Sequence, residues 1–170
     1  MTDLDDLDRN ARANGLLIDT NLLVLLVVGS VNRDRISRFK RTTGYSSADW
    51  DLLIGILEQI SRRYTLPHVL AEVSTLTDLK GPELEVARIV LLKLIGELRE
   101  ISINSADACA TSLYIRFGLT DAAIAEAARR LRCSVLTNGF EPANLLERAH
   151  AGPFQMHPFS FRSTLVRAGG

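Results

Sequence analysis

The chain is poor in the residues that many active sites are built from. Of its 170 residues only two are cysteines, Cys109 and Cys133, and they form no C-x-x-C pair. They read as reduced thiols in a core, with one disulfide as the alternative. The three histidines, His68, His150 and His157, have no metal-ligand spacing. No glycine-rich phosphate loop and no nucleophile elbow occurs, which removes the common nucleotide-binding and serine-hydrolase patterns. Charge of one sign is also missing. Twenty Lys and Arg balance twenty Asp and Glu, so any contact with nucleic acid has to use a local patch. No apolar run reaches the ~20 residues that span a bilayer; the longest, 16–28, is interrupted by Asp19-Thr20-Asn21. The first eight residues hold four aspartates, the opposite of a basic signal-peptide start. A cytoplasmic protein without membrane association is the plain expectation. There is no internal repeat and no low-complexity tract.

What is present is aliphatic. Hydrophobic residues make up 46% of the chain against 6% aromatics, enough for one sizeable core, and the length fits one domain of roughly 100–200 residues. The chain is organised around Gly15-Leu16-Leu17-Ile18-Asp19-Thr20-Asn21-Leu22-Leu23. Three consecutive apolar residues without alternation suit a strand buried on both faces, as in a parallel sheet. Asp19 then stands at the carboxyl end of a central strand, where ligands bind in open α/β sheets. A carboxylate between two apolar segments is costly unless it is paired, hydrogen-bonded or bound to metal. The plain alternative is a helix N-cap.

The remaining pattern alternates strand and helix. Residues 1–14 read as an acidic, partly frayed lead-in. A strand at 16–19 leads to a helix ending at Gly29-Ser30. Residues 31–62 form an insertion, irregular at first and then a helix over 48–62, which Ser46 or Ser47 can cap. A short strand at 64–66 precedes a helix opened by Pro67. The helix 84–98 is apolar almost all round, so it is either deeply buried or a subunit contact. A strand at 100–103, a helix at 105–115, a helix from Asp121 to Leu131 capped by Thr120, a strand at 134–137, a helix at 142–149 and an edge strand at 154–161 complete the chain. Such alternation implies βαβ units, hence an α/β fold of three layers, α/β/α, with a central parallel sheet.

One short segment is strongly basic. Arg33, Arg35, Arg38, Lys40 and Arg41 fall within nine residues. They make either a solvated face or a phosphate-facing patch of the kind that holds RNA.

Leu17-Ile18-Asp19-Thr20-Asn21 resembles the opening motif of PIN-domain nucleases. Thr65-Leu66-Pro67-His68-Val69-Leu70-Ala71-Glu72-Val73 looks like the second motif, Phe117-Gly118-Leu119-Thr120-Asp121-Ala122-Ala123-Ile124 like the third, and Val135-Leu136-Thr137-Asn138 takes the place of the fourth. Their order and surroundings span 16–161. The resemblance implies a PIN-like sandwich, clustered carboxylates binding Mg²⁺ or Mn²⁺, and cleavage of RNA phosphodiesters. Many members are VapC-like toxins neutralised by an antitoxin protein. Hydrolysis of a phosphodiester needs an activated water and dispersal of charge at phosphorus, and a divalent ion held by hard oxygen ligands provides both. Asp19 and Asp121 are accordingly expected as metal ligands. Glu72 is expected to hold metal-bound water or orient the nucleophile, and Asn21 and Thr137 to hydrogen-bond the carboxylates. Each acid has a plainer role open to it: Glu72 as a surface residue, Asp121 as a helix-dipole partner.

Asn138 departs from the pattern, because the family commonly has aspartate there. It offers a neutral oxygen as a further ligand but removes a charge, and Glu141 is close by in sequence. Asn21 also argues against a haloacid-dehalogenase phosphatase, which would want a second aspartate two residues after the first. The expected function is a metal-dependent endoribonuclease, as the toxin of a toxin–antitoxin pair and as a homodimer through its apolar helices. The alternative is a catalytically weak PIN-like domain that binds RNA or a protein.

Overall fold

The computed structural model describes the backbone of residues 3–138 and 158–160 and the side chains of 9–138. The expected helix at 142–149, the start and end of the expected last strand, and Glu141 lie outside the described residues.

The fold is α/β, with a five-stranded sheet in the order β3-β2-β1-β4-β5, every neighbouring pair parallel. Strand β1 (Leu16–Ile18) is central, between β2 (Arg63–Thr65) and β4 (Ser134–Thr137). Its three side chains are at most 2% exposed, as an unalternating apolar strand requires. Strand β3 (Arg99–Glu100) forms one edge, and β5 (Pro158–Ser160) the other. Pro158 opens that edge strand, where a missing N–H is tolerated. The chain runs outward from β1 through β2 to β3, then returns to add β4 and β5 on the other side. The strand order therefore reverses between β1 and β4. There the two connections leave in opposite directions and open a crevice at the carboxyl ends.

Helix α2 (Thr20–Val31) is the buried centre of one helical group. Nine of its twelve residues are buried, and it packs against α3 (Ser47–Gln59), α4 (Pro67–Leu76) and α5 (Pro82–Glu97). Gly29 does not end this helix. A Cβ there would meet the Trp50 ring at 2.2 Å, so the glycine lets α3 approach, and Trp50 donates its indole N–H to the Leu26 carbonyl at 3.2 Å. Ser46 and Asp49 close a reciprocal capping box on α3. The helix α8 (Leu119–Leu131) gathers the second group, α6 (Ser105–Cys109) and α7 (Ser112–Phe117). Two helical groups flanking a parallel sheet agree with a three-layer arrangement.

Further expectations change. The helix expected over 48–62 ends at Gln59, since β2 already begins at Arg63, and the strand expected over 100–103 is the pair Arg99–Glu100. Residues 3–14 form a helix, α1 (Asp3–Asn14), docked by the buried Ala11 and by Asn10, whose amide donates to Ser134 Oγ at 2.9 Å. The single helix expected over 105–115 is two, α6 capped by Asn104 and α7. Helix α5 is not deeply buried: Val86, Ile89, Leu92 and Ile95 are exposed. Cys133 is buried, but Cys109 is exposed and no disulfide joins them. Among the described residues no helix is long and apolar enough to cross a membrane.

Candidate functional site

The crevice between β1 and β4 is lined by the residues that end those strands. Asp19 follows β1 directly and is 5% exposed. It caps α2, its Oδ1 accepting the Leu22 amide at 3.0 Å. The N-cap role is therefore real, and it accounts for one oxygen only. The other, Oδ2, accepts the hydroxyl of Thr137 at 2.6 Å. Thr137 is the last residue of β4 and is itself buried. Burial raises the Asp19 pKa, opposed by the Thr137 hydroxyl and the backbone amides of Leu22, Asn21 and Asn138.

Glu72 lies on α4, one turn past Pro67, on the exposed side of that helix. It is tied to the crevice by Thr20, whose hydroxyl donates to Glu72 Oε2 at 2.7 Å. Thr20 is the first residue of α2, next to Asp19. Two carboxylates distant in sequence are thus anchored on neighbouring residues of one helix start.

Asp121 enters from α8. That helix starts earlier than Thr120 could cap it: Gly118, at φ 93°, is the N-cap, a conformation that favours glycine, and Asp121 falls inside the first turn. Asp121 is half-buried. Its pKa is pushed up to about 6 by burial first, then by repulsion from Asp19 and from Glu72. Asp121 therefore feels the charge of both Asp19 and Glu72, and no basic side chain among the described residues lowers its pKa.

The other expected residues divide. Thr137 bonds Asp19 directly. Asn21 has its side chain exposed, and it reaches Asp19 through its backbone amide instead. Asn138 is half-buried, and its amide donates to the Tyr45 hydroxyl at 2.9 Å. The basic segment is largely consumed by acids from distant parts of the chain. Arg33 pairs with Asp51 and lies over the Trp50 ring at 4.5 Å. Arg35 pairs with Glu83 at 2.8 Å and Lys40 with Asp78 at 2.9 Å. Arg38 and Arg41 remain exposed, with no side-chain hydrogen bond or close ion pair among the described residues, although Arg41 lies near enough to Asp78 to help lower its pKa.

Two residues at the site had no role in the sequence reading. Thr20 stood in the Asp-Thr-Asn triplet, and a hydroxyl beside a buried aspartate is a usable signal. Tyr45 lies 93 residues from its partner Asn138, and nothing local marks it.

Three carboxylates are hard oxygen donors, the kind that Mg²⁺ and Mn²⁺ prefer, so donor type and charge fit a divalent ion. The spacing of the side chains is looser than a formed site: among the described residues no group of three His, Cys, Asp or Glu side chains is arranged to hold a metal ion. No protein-family model, no curated protein and no solved structure matches the chain significantly.

Proposed function

We propose that the chain is a divalent-metal-dependent endoribonuclease on a PIN-like fold, with Asp19, Glu72 and Asp121 as its acidic centre. The observation that carries this reading is where the acids stand: Asp19 ends β1 at the strand-order reversal, Thr20 beside it holds Glu72, and Asp121 is raised to about 6 by burial first and then by Asp19 and Glu72, with no Lys or Arg among the described residues lowering it. A half-buried carboxylate that serves only the fold is normally hydrogen-bonded or paired. One left facing two like charges at a strand-order reversal suits a site that takes its cation from solution. Asp19 and Asp121 would hold the ion, with Glu72 beside it. A bound Mg²⁺ or Mn²⁺ supplies an activated water and charge neutralisation at phosphorus. Thr137 fixes the Asp19 carboxylate, and Thr20 fixes Glu72. Arg38 and Arg41 are the cations left to contact an RNA backbone. In cells, such an enzyme fits the toxin half of a toxin–antitoxin pair, with growth arrest on expression and relief by a co-expressed antitoxin as the check.

The test is Mn²⁺-dependent cleavage of single-stranded RNA by the purified protein, beside Asp19→Asn and Asp121→Asn. Cleavage by the wild type and its loss in both variants supports the proposal. A second reading, a PIN-like binding domain with weak or no catalysis, is favoured by two observations: among the described residues the carboxylates are not drawn into a ligating group, and Asn138 is engaged by Tyr45. Absence of cleavage together with retained binding of RNA or a protein selects it.

A further inference from the structure

The insertion over 31–62 reaches the crevice at Tyr45. Its hydroxyl accepts the side-chain amide of Asn138 at 2.9 Å, across 93 residues of chain. Asn138 follows Thr137, whose hydroxyl holds Asp19, and the Asn138 backbone amide also donates to the Asp19 carboxylate. The phenol is fixed from both sides. Before it, the Tyr45 amide donates to the Thr42 carbonyl at 2.9 Å. Thr42 is fully buried, and its hydroxyl donates to the Ile36 carbonyl at 2.7 Å. After it, Ser46 opens α3 with its reciprocal capping box. The half-buried ring packs against the core. A turn tied this closely loses little further freedom in holding its hydroxyl in place.

A side-chain amide has two unlike ends, a donor nitrogen and an acceptor oxygen. Toward a cation the nitrogen is repelled and the oxygen is a ligand. Tyr45 takes the nitrogen of Asn138. The carbonyl oxygen is left without a hydrogen bond among the described residues. A contact that withdrew Asn138 would speak against catalysis, but this one occupies a single atom of the amide. The residue stays at the end of β4, held there by its own N–H on Asp19. A neutral oxygen at this place adds a donor without adding to the repulsion that Asp121 meets from Asp19 and Glu72.

We infer that Tyr45 is a positioning residue that acts through Asn138, turning its amide so that the carbonyl oxygen, not the nitrogen, is offered to a divalent ion at the acidic centre. This rests on the proposed nuclease reading. Mn²⁺ titration calorimetry on the full chain tests it without turnover. Tyr45→Phe removes one oxygen and keeps the ring, so its circular dichroism spectrum is expected to match wild type. Its Mn²⁺ dissociation constant is expected to rise roughly tenfold, the size usual for a group that orients a metal ligand. Asn138→Ala is expected to raise that constant at least as much. Adding Tyr45→Phe to Asn138→Ala is expected to change nothing further, because a residue acting through another has no effect once the other is gone. In RNA cleavage kcat falls with Tyr45→Phe, and KM stays within about twofold of wild type. A merely structural role gives a lower urea midpoint, or a chain that does not fold, with no change in the Mn²⁺ constant of what remains folded. That result, or a tenfold loss repeated in the Asn138→Ala background, overturns the inference and leaves the nuclease reading standing. A wild type that binds no Mn²⁺ removes the nuclease reading and this inference with it.

Discussion

Two acidic residues on one helix, five positions apart, meet opposite fates. Asp121, in the first turn of α8, faces Asp19 and Glu72, and its pKa is driven up to about 6. Glu126, further along, is 8% exposed yet is bonded by both Arg129 and Arg130, and its pKa falls to about 2, the Arg129 hydrogen bond leading. Arg130 also reaches Asp107 at 2.8 Å, so that cluster is neutral within itself. Five residues are about 140° on a helix, and the two acids therefore face different surroundings. The chain provides internal cations where a carboxylate supports the fold. At the strand-order reversal the described residues provide none.

The largest expected effect breaks this contrast directly. Asp121→Asn should lower Mn²⁺-dependent RNA cleavage by roughly a thousandfold, as expected for loss of a group that stabilises the transition state. The same change removes a repelled carboxylate, so the metal-free variant should melt a few degrees higher than wild type at pH 7. Glu126→Gln should do the reverse. Cleavage stays within about twofold, while stability falls by about 1 kcal/mol as two partly exposed ion pairs are lost, read by urea denaturation. Between these lies Thr137→Val, which removes the hydroxyl holding Asp19 and leaves that buried oxygen without its donor. Mn²⁺ affinity by calorimetry should drop about tenfold to a hundredfold.

Much of the site's placement was legible because it depends on local pattern. The run Leu16-Leu17-Ile18 before Asp19, and Ser134-Val135-Leu136-Thr137 before Asn138, each gave a buried strand with a polar residue at its end. Chain order then put both ends at one crevice. What the sequence hid depends on contacts between distant segments. Arg33, Arg35 and Lys40 looked like a free basic patch because Asp51, Glu83 and Asp78 lie 18, 48 and 38 residues away. Thr120 looked like a cap because the positive φ of Gly118 is invisible to a propensity argument. The apolar helices α2 and α5 looked alike in hydrophobicity, yet only α5 carries charges among its apolar residues. That interruption, at Glu85, Arg88 and Lys93, was the signal that one side of it meets water.

The smallest expected effect sharpens the comparison, because the two acids should give stability slopes of opposite sign. The folded-state pKa of Asp121 lies above its ordinary 3.8. Its contribution is therefore fully present below pH 3.8 and is lost as pH rises through about 6, and Asp19, also raised, adds in the same direction. The folded-state pKa of Glu126 lies below its ordinary 4.5. Its contribution is present above pH 4.5 and is lost as pH falls toward about 2. Unfolding free energy measured against pH should accordingly lose part of its decline between about pH 4 and 6 in Asp121→Asn, the Asp19 share remaining, and part of its acid-side loss in Glu126→Gln. Saturating Mn²⁺ provides the decisive arm. A cation held by Asp19 and Asp121 offsets their repulsion, so the decline between pH 4 and 6 should vanish in wild type while the Glu126 limb persists. An unchanged decline would mean that the ion binds elsewhere and that Asp121 is merely a strained carboxylate of the fold.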